Sequence, residues 1–265
     1  MKRVVIDQLN RKIEINNNLN NIISLVPSLT ELLFFLKMDE QVKGITNFCV
    51  HPSDKLSDKV IVGSPLHVDY EKIEQINPDI IIAGKSENNK NNIEKIAEKY
   101  PVWVSDVRSI EDACKMIEKI GMICNQSDLS YNITKNISVG FDSLADKTKI
   151  KVCYLVWEKP FMVAGNNNYI NDILKKTGLI NVFEHKEGYA KVTAKEMQEC
   201  QADFVLLPSE PYKFDNSHIS TYKNLINKAT VLLVDGQLFS WYGNRMLLAI
   251  NYLKNMKKLM LSIVQ

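Results

Sequence analysis

Short apolar runs alternate with amphipathic stretches along most of this chain. Runs at residues 22–26, 42–46, 79–83 and 102–104 predict buried strands. Between them, apolar side chains recur every three or four residues, the spacing of a helix that packs on one face. The same alternation returns in the second half, whereas residues 1–21 are polar and predict a flexible start or a hairpin. The pattern predicts an α/β protein with mostly parallel sheets, covered by helices on both faces.

Capping residues mark where several of these helices should begin. Segments 28–31 and 193–196 have the Ser/Thr-x-x-Glu pattern of a capping box. Asp69 stands where its carboxylate can cap a helix that carries Ile73 and Ile76. We therefore expect helices to start at these three places.

A longer amphipathic stretch joins the two halves, which are similar in pattern but not in sequence. Residues 127–146 carry an apolar stripe and contain neither glycine nor proline before Gly140; the stripe consists of Leu129, Ile133, Ile137 and Leu144. We interpret it as a connecting backbone helix between an N-terminal lobe, residues 1–126, and a C-terminal lobe, residues 147–265. The alternative is an ordinary surface helix in one large domain.

Composition narrows the class of partner. The 265 residues are 45% hydrophobic and 24% charged, and the formal net charge is only +2, with no basic cluster. A concentrated positive face for nucleic acid is therefore not expected. No run approaches the ~20 apolar residues of a membrane span, so we expect no membrane insertion. We expect a monomer.

The cysteines and the first residues bear on the compartment. The five cysteines are scattered, without a C-x-x-C pair, which argues against a disulfide framework or a zinc site. The apolar run after Lys2 and Arg3 is too short for the core of a signal peptide. As written, the sequence predicts a cytoplasmic location.

Candidate ligand-binding residues follow the predicted strands. In parallel α/β sheets, ligands bind beyond the carboxyl ends of the strands. The aromatic, thiol, imidazole and cationic side chains expected there are Phe48, Cys49, His51, Trp157, Trp241, Tyr242 and Arg245. We find no nucleophile elbow, phosphate loop or paired His and carboxylate, so no catalytic residue and no metal site is assigned. Two such rims facing each other would form a cleft for a bulky ligand.

Several segments together resemble a known family. Ile22-Ile23-Ser24-Leu25-Val26-Pro27-Ser28-Leu29-Thr30-Glu31, then Val42-Lys43-Gly44-Ile45, Ile76-Asn77-Pro78-Asp79-Ile80 and Ser240-Trp241-Tyr242-Gly243-Asn244-Arg245 are similar to the class III substrate-binding proteins of ABC importers. These helical-backbone metal receptors carry cobalamin, ferric siderophores or haem. The resemblance covers nearly the whole chain. It implies two Rossmann-like lobes on one long helix and a location in the periplasm or at the membrane.

The resemblance also implies roles for individual residues. Phe48 matches an aromatic after the second strand, Tyr189 one before a helix of the second lobe, and Trp157 follows that lobe's first strand. Trp241, Tyr242 and Arg245 would stack on a macrocycle and pair with its polar edge. Glu71 matches one of two acids that dock on the permease. For the second acid, Lys195 occupies the expected place and Glu196 stands beside it.

Other interpretations stay open at this point. Cys49 and His51 are candidate axial ligands to iron or cobalt, or ordinary hydrogen-bonded loop residues. Trp157 and Trp241 face either ligand or core. The predicted function is capture of a metal chelate, cobalamin or an iron complex, in the cleft for ABC-type uptake, with no intrinsic cofactor. The alternatives are a cytosolic corrinoid- or tetrapyrrole-handling enzyme or carrier on the same scaffold, and an interaction module with an empty cleft.

Overall fold

The computed structural model describes residues 1–145, 148–226 and 228–264, which fold into two compact α/β units. The first unit comprises Met1–Val107, Asp112–Lys135 and Tyr242–Arg245. The second comprises Arg108–Glu111, Asn136–Trp241 and Met246–Gln265. Residues 146 and 147, where the predicted connecting helix ends and the predicted second lobe begins, lie outside the described residues, as does residue 265. The lobe boundaries given above therefore stay a prediction.

The first unit opens with an antiparallel hairpin, which is one of the two predicted forms of its start. The hairpin pairs β1 (Lys2–Ile6) with β2 (Lys12–Asn16). Five strands then form a fully parallel sheet in the order β5-β4-β3-β6-β7: β3 (Ile22–Ser24), β4 (Val42–Ile45), β5 (Val60–Ile61), β6 (Ile80–Gly84) and β7 (Val102–Ser105). Because all five run the same way, their carboxyl ends lie at one edge of the sheet.

Helices alternate with these strands as the apolar spacing predicts. They are α1 (Pro27–Phe35), α2 (Tyr70–Ile76) and α3 (Lys90–Ala97). Two further helices, α4 (Ile110–Ile123) and α5 (Ser127–Asp142), contribute residues to both units. Asp69 caps α2 as predicted, since its carboxylate accepts a hydrogen bond from the Lys72 amide.

The second unit contains a mixed sheet of six strands. Its parallel part consists of β8 (Lys151–Trp157), β10 (Ile180–Asn181), β12 (Phe204–Pro208) and β13 (Thr230–Val234), and its antiparallel part of β9 (Met162–Ala164) and β11 (Tyr189–Lys191). Its helices are α6 (Tyr169–Lys176), α7 (Ala194–Glu199), α8 (Asn216–Leu225), α9 (Gln237–Ser240) and α10 (Met246–Val264). The predicted α/β class with mostly parallel sheets is confirmed. The sequence missed the short strands β5, β9, β10 and β11, because they have two or three residues and no longer apolar run marks them, as the run 22–26 marks β3.

Two predicted helix details differ from the structure. The capping box at Thr193 and Glu196 forms, but the one proposed at segment 28–31 does not. There Pro27 is the first helical residue and Val26 the uncapped N-cap, so Ser28 already lies inside the helix. Helix α5 ends at Asp142, short of the predicted residue 146. At the observed end, the Ser143 hydroxyl donates a hydrogen bond to the Gly140 carbonyl. A side chain thereby satisfies one of the carbonyls left open at the helix end.

Candidate functional site

The loop after β4 contains three of the predicted ligand-binding residues, and the structure places them differently. The ring of Phe48 is 59% exposed, whereas Cys49 is buried. The Cys49 sulfur lies 3.1 Å from the Thr30 hydroxyl and 3.4 Å from the Thr46 hydroxyl, and both threonines are fully buried. His51 is half-buried and precedes a cis proline. The Cys49 sulfur is therefore engaged inside the fold, whereas Phe48 offers its ring to solvent.

Segment 242–245 contributes a buried tyrosine to the first unit. The Tyr242 hydroxyl donates a hydrogen bond of 2.8 Å to the Glu87 carboxylate and lies 3.4 Å from the Ser105 hydroxyl. Burial raises the pKa of Glu87, and the hydrogen bond from Tyr242 partly opposes that rise. The hydroxyl of Tyr242 thus binds a carboxylate three residues beyond the end of β6, and Tyr242 is buried.

Arg245 belongs to the same segment and forms a two-pronged ion pair with Glu31 of α1. Its Nε lies 2.8 Å and its Nη2 3.0 Å from the two carboxylate oxygens. Arg245 is only 9% exposed. A planar guanidinium bound to both oxygens of a carboxylate is a strong and directional contact. The predicted role of Arg245 toward a ligand stays a prediction, and such a ligand would have to share the guanidinium with Glu31.

In the second unit, the predicted Trp157 borders a group of aromatic and ionisable side chains. The Trp157 ring is 40% exposed and meets the Tyr212 ring edge-on, with centroids 5.3 Å apart. The Tyr212 hydroxyl donates a hydrogen bond of 2.9 Å to Glu158, which raises the pKa of that tyrosine. A His218 ring nitrogen lies 2.9 Å from the Asp215 carboxylate. These contacts fix the Tyr212 ring beside the partly exposed indole.

Trp241 is anchored by Glu210, the second residue after β12. The indole Nε1–H donates to the Glu210 carboxylate, and the Ser240 hydroxyl donates to the same oxygen at 3.3 Å. Burial raises the pKa of Glu210, and the hydrogen bond from Trp241 opposes that rise. The indole N–H of Trp241 is therefore satisfied within the unit. Tyr189, the first residue of β11, is 44% exposed.

The two acids predicted to dock on a permease differ in their surroundings. Glu71 is exposed in the first turn of α2. Glu196 accepts hydrogen bonds from the Thr193 amide and from the ammonium of Lys186. The hydrogen bond from Lys186 lowers the pKa of Glu196 to about 2. Glu71 is thus the more accessible of the two carboxylates.

Sequence reasoning did not predict that carboxylates hold these residues, although it placed Glu210 at the end of a strand. Glu87 was not singled out at all, and Glu31 was assigned to a helix cap. Glu87 and Glu210 each stand a few residues beyond the end of a parallel strand, and this position was the signal available in the sequence. Within the described ranges, no group of three or more His, Cys, Asp or Glu side chains is placed to hold a metal ion. No helix in the described part of the chain is long and apolar enough to cross a membrane.

Two α/β units with aromatic and ionised side chains beyond the carboxyl ends of their strands are the features of a bilobal ligand-binding protein. The family model described as "Periplasmic binding protein" matches residues 22–221. The chain belongs to this family. The predicted membership among substrate-binding proteins of ABC importers is confirmed.

Individual relatives extend this result. A vitamin B12-binding protein of Vibrio parahaemolyticus is 21% identical over 215 residues, which cover 79% of this chain and 78% of the relative. The haem-binding protein HutB of Vibrio cholerae superposes with a TM-score of 0.77 at 17% identity, over 89% of this chain and 98% of that one. The molybdate-binding protein MolA of Haemophilus influenzae gives 0.81 at 15% identity, over 99% and 94%. At these identities, the two structures establish a shared fold.

The family also bears on the remaining predictions. Its members are binding proteins, which supports a receptor over the alternative of a corrinoid- or tetrapyrrole-handling enzyme. The family is periplasmic by description, and the cytoplasmic location read from the first residues gains no support.

Proposed function

We propose that this protein binds a metal chelate of the corrinoid, haem or iron–siderophore kind and delivers it to an ABC-type importer. The observation that carries the proposal is the place of two exposed aromatic residues at the carboxyl ends of parallel strands in a chain of this family: Phe48, 59% exposed, follows β4, and Trp157, 40% exposed, is the last residue of β8. Tyr189 of β11 is exposed as well, at 44%. Aromatic rings are usually buried, and exposed ones suit stacking on a flat, conjugated ligand. The names of the relatives support this class of ligand.

Partly buried carboxylates hold three of the candidate side chains in place within their own units. Tyr242 is held by Glu87, Arg245 by Glu31 and Trp241 by Glu210. Side chains that are already ordered lose little conformational freedom when a ligand arrives. We infer that Phe48 is the stacking residue of the first unit and Trp157 that of the second.

Titration with three chelates tests the ligand class. We expect cyanocobalamin, haemin or ferrichrome to bind in equilibrium dialysis and to quench tryptophan fluorescence. The quench should fall in W157F, because Trp157 is the exposed indole, whereas Trp103 is fully buried. Free N-acetyltryptophanamide, titrated in the same way, shows how much of the fluorescence loss comes from light absorbed by the ligands. If none of the three binds at tens of micromolar, the proposed ligand class is wrong.

A matched pair of phenylalanine variants tests the stacking role. F48A should weaken binding about 3- to 10-fold, the equivalent of one aromatic contact of about 1 kcal/mol. F35A is the control, because Phe35 is comparably exposed, at 43%, and belongs to α1 rather than to the loop after β4. Equal affinities of F48A and F35A would contradict stacking by Phe48.

A charge reversal tests docking on a permease. We expect E71K to slow chelate uptake several-fold in cells that depend on this protein, with chelate affinity unchanged. The resemblance implies that the docking acids pair with arginines of the permease, so a lysine at residue 71 would repel them and slow association. E94K is the control, since Glu94 is an exposed helix acid that pairs with Lys90 four residues earlier. Equal uptake by the two variants would exclude Glu71 as a docking residue.

A further inference from the structure

One buried asparagine of the first unit joins three loops at the carboxyl edge of the parallel sheet. Asn88 is 8% exposed and lies between β6 and α3. Its Nδ2 donates hydrogen bonds to the carbonyls of Leu25, at 3.1 Å, and Pro65, at 2.9 Å. Its Oδ1 accepts a hydrogen bond of 2.8 Å from the N–H of Gly84. Because Leu25 follows β3, Pro65 lies beyond β5 and Gly84 ends β6, one amide group holds three strand ends together.

The loop that contains Pro65 is a compact turn, residues 62–69. The N–H of Ser64 donates a hydrogen bond of 2.7 Å to the His67 carbonyl. Gly63, at φ +106°, has no room for a side chain, because a Cβ there would lie 2.3 Å from the same carbonyl oxygen. The backbone of the turn is therefore closed on itself, and a hydrogen bond to its tip restrains the whole turn.

The same turn restrains the loop that carries Phe48. The N–H of Asn47 donates a hydrogen bond of 2.9 Å to the Gly63 carbonyl. Asn47 directly precedes Phe48, whose ring is 59% exposed. On the other side of Phe48, the Cys49 sulfur lies 3.1 Å from a buried hydroxyl group of α1. A continuous series of hydrogen bonds and backbone thus leads from Asn88 to the residue that we propose stacks on the ligand.

We propose that Asn88 is a positioning residue for ligand binding by Phe48. It holds the turn 62–69, and the hydrogen bond between Asn47 and Gly63 extends this restraint to the loop after β4. This inference rests on the proposed function, in which Phe48 stacks on a chelate. An aromatic ring on a fixed backbone loses less conformational freedom on binding than a ring on a mobile loop, so the restraint raises affinity.

Hydrogen exchange of single amides tests the restraint without a ligand. N88D keeps the shape of the side chain and an acceptor for Gly84, but it removes both N–H donors and places a charge against two carbonyl oxygens. We expect the Asn47 amide to exchange about 10-fold faster in N88D, because its hydrogen bond opens more often. The Ile81 amide, which is bonded to the Pro101 carbonyl in the sheet, should change much less.

The matched control for this exchange measurement is N181D. Asn181 is 4% exposed in the second unit, and its Nδ2 likewise donates to a backbone carbonyl, that of Ala164 at 2.8 Å. Asn47 exchange in N181D should equal that of wild type. Unchanged Asn47 exchange in N88D would overturn the proposal, and so would equal acceleration at Asn47 and Ile81. If N88D does not fold, N88S takes its place, since it shortens the side chain without adding charge.

A double-mutant cycle tests whether Asn88 affects affinity through Phe48. For the chelate found to bind among cyanocobalamin, haemin and ferrichrome, N88D should weaken binding about 2- to 10-fold. In the F48A background, N88D should cost less than about 2-fold, because the ring that it positions is absent. A residue that only stabilised the unit would lower affinity by the same factor in both backgrounds. That outcome would contradict a positioning role.

The two measurements separate this inference from the proposed function. If wild type binds none of the three chelates, the proposed function is wrong, and the role of Asn88 in binding is wrong with it. Asn47 exchange in N88D then still shows whether the side chain restrains the loop. If wild type binds a chelate while N88D leaves both affinity and Asn47 exchange unchanged, only the role of Asn88 is wrong.

Discussion

R245A is expected to destabilise the first unit by about 3 kcal/mol or more, because it removes one partner of a buried ion pair. The Glu31 side chain is 13% exposed, and its carboxylate receives two hydrogen bonds from the guanidinium. Without Arg245, that carboxylate must stay charged in a poorly solvated place or take up a proton. R245K should be intermediate, since an ammonium keeps the charge but loses the planar fork.

Fluorescence can isolate the unit in which the effect arises. The chain has three tryptophans, and only Trp103 lies in the first unit. In a W157F/W241F background, Trp103 emission during guanidinium denaturation therefore reports on that unit. K99A is the control: Lys99 pairs with Glu74 on the surface, where both side chains are more than half exposed, and no measurable shift is expected. If R245A and K99A unfold at the same guanidinium concentration, the ion pair between Arg245 and Glu31 contributes no more to stability than a surface contact.

G236A is expected to destabilise the second unit by about 2 kcal/mol, because the added methyl group meets backbone rather than a movable side chain. A Cβ at Gly236 would lie 2.6 Å from the Glu210 carbonyl oxygen and 2.7 Å from the Glu210 nitrogen. Relief requires the chain around Glu210 to move, and Glu210 holds the Trp241 indole. We therefore expect lower stability together with a shift in Trp241 emission.

The two effects of G236A can be measured together. Trp241 emission is the difference between the spectra of W157F and W157F/W241F, recorded with and without G236A. S240A is the control: it removes a hydroxyl that bonds Glu210 and the Gly236 carbonyl without adding volume, and it should cost about 1 kcal/mol or less. Equal unfolding midpoints for G236A and wild type would show that the backbone around Glu210 yields freely.

The individual helices show how far local pattern carries a prediction. Asp69 and Thr193 were assigned as caps from sequence, and both cap, because capping depends on atoms within three residues. Glu31 was assigned on the same rule and does something else. Its carboxylate is bound by Arg245, 214 residues later in the chain. A local rule does not describe a side chain whose best partner is distant.

The candidate ligand-binding residues show the same difference between what local sequence predicts and what distant neighbours decide. The sequence could place Phe48 and Trp157 after strands, and the structure leaves both rings partly exposed. It could also place Tyr242 after the last strand, but not the burial of that residue or the hydrogen bond to Glu87. Whether an aromatic residue faces solvent or core depends on neighbours from other elements. The apolar spacing of a segment gives information only about the helix or strand that the segment itself forms.

By itself, the sequence determined the α/β class, the alternation of strands and helices, the family and the stretches from which candidate ligand contacts come. The family came from the resemblance of particular segments. The other features follow from apolar periodicity, capping residues and the positions of strand ends, all of which are local. Only the tertiary structure decided which candidates are engaged elsewhere: Arg245 by Glu31, Tyr242 by Glu87 and Trp241 by Glu210. The physical reason is that buried charges and polar groups must find partners wherever the fold brings them, at any distance along the chain.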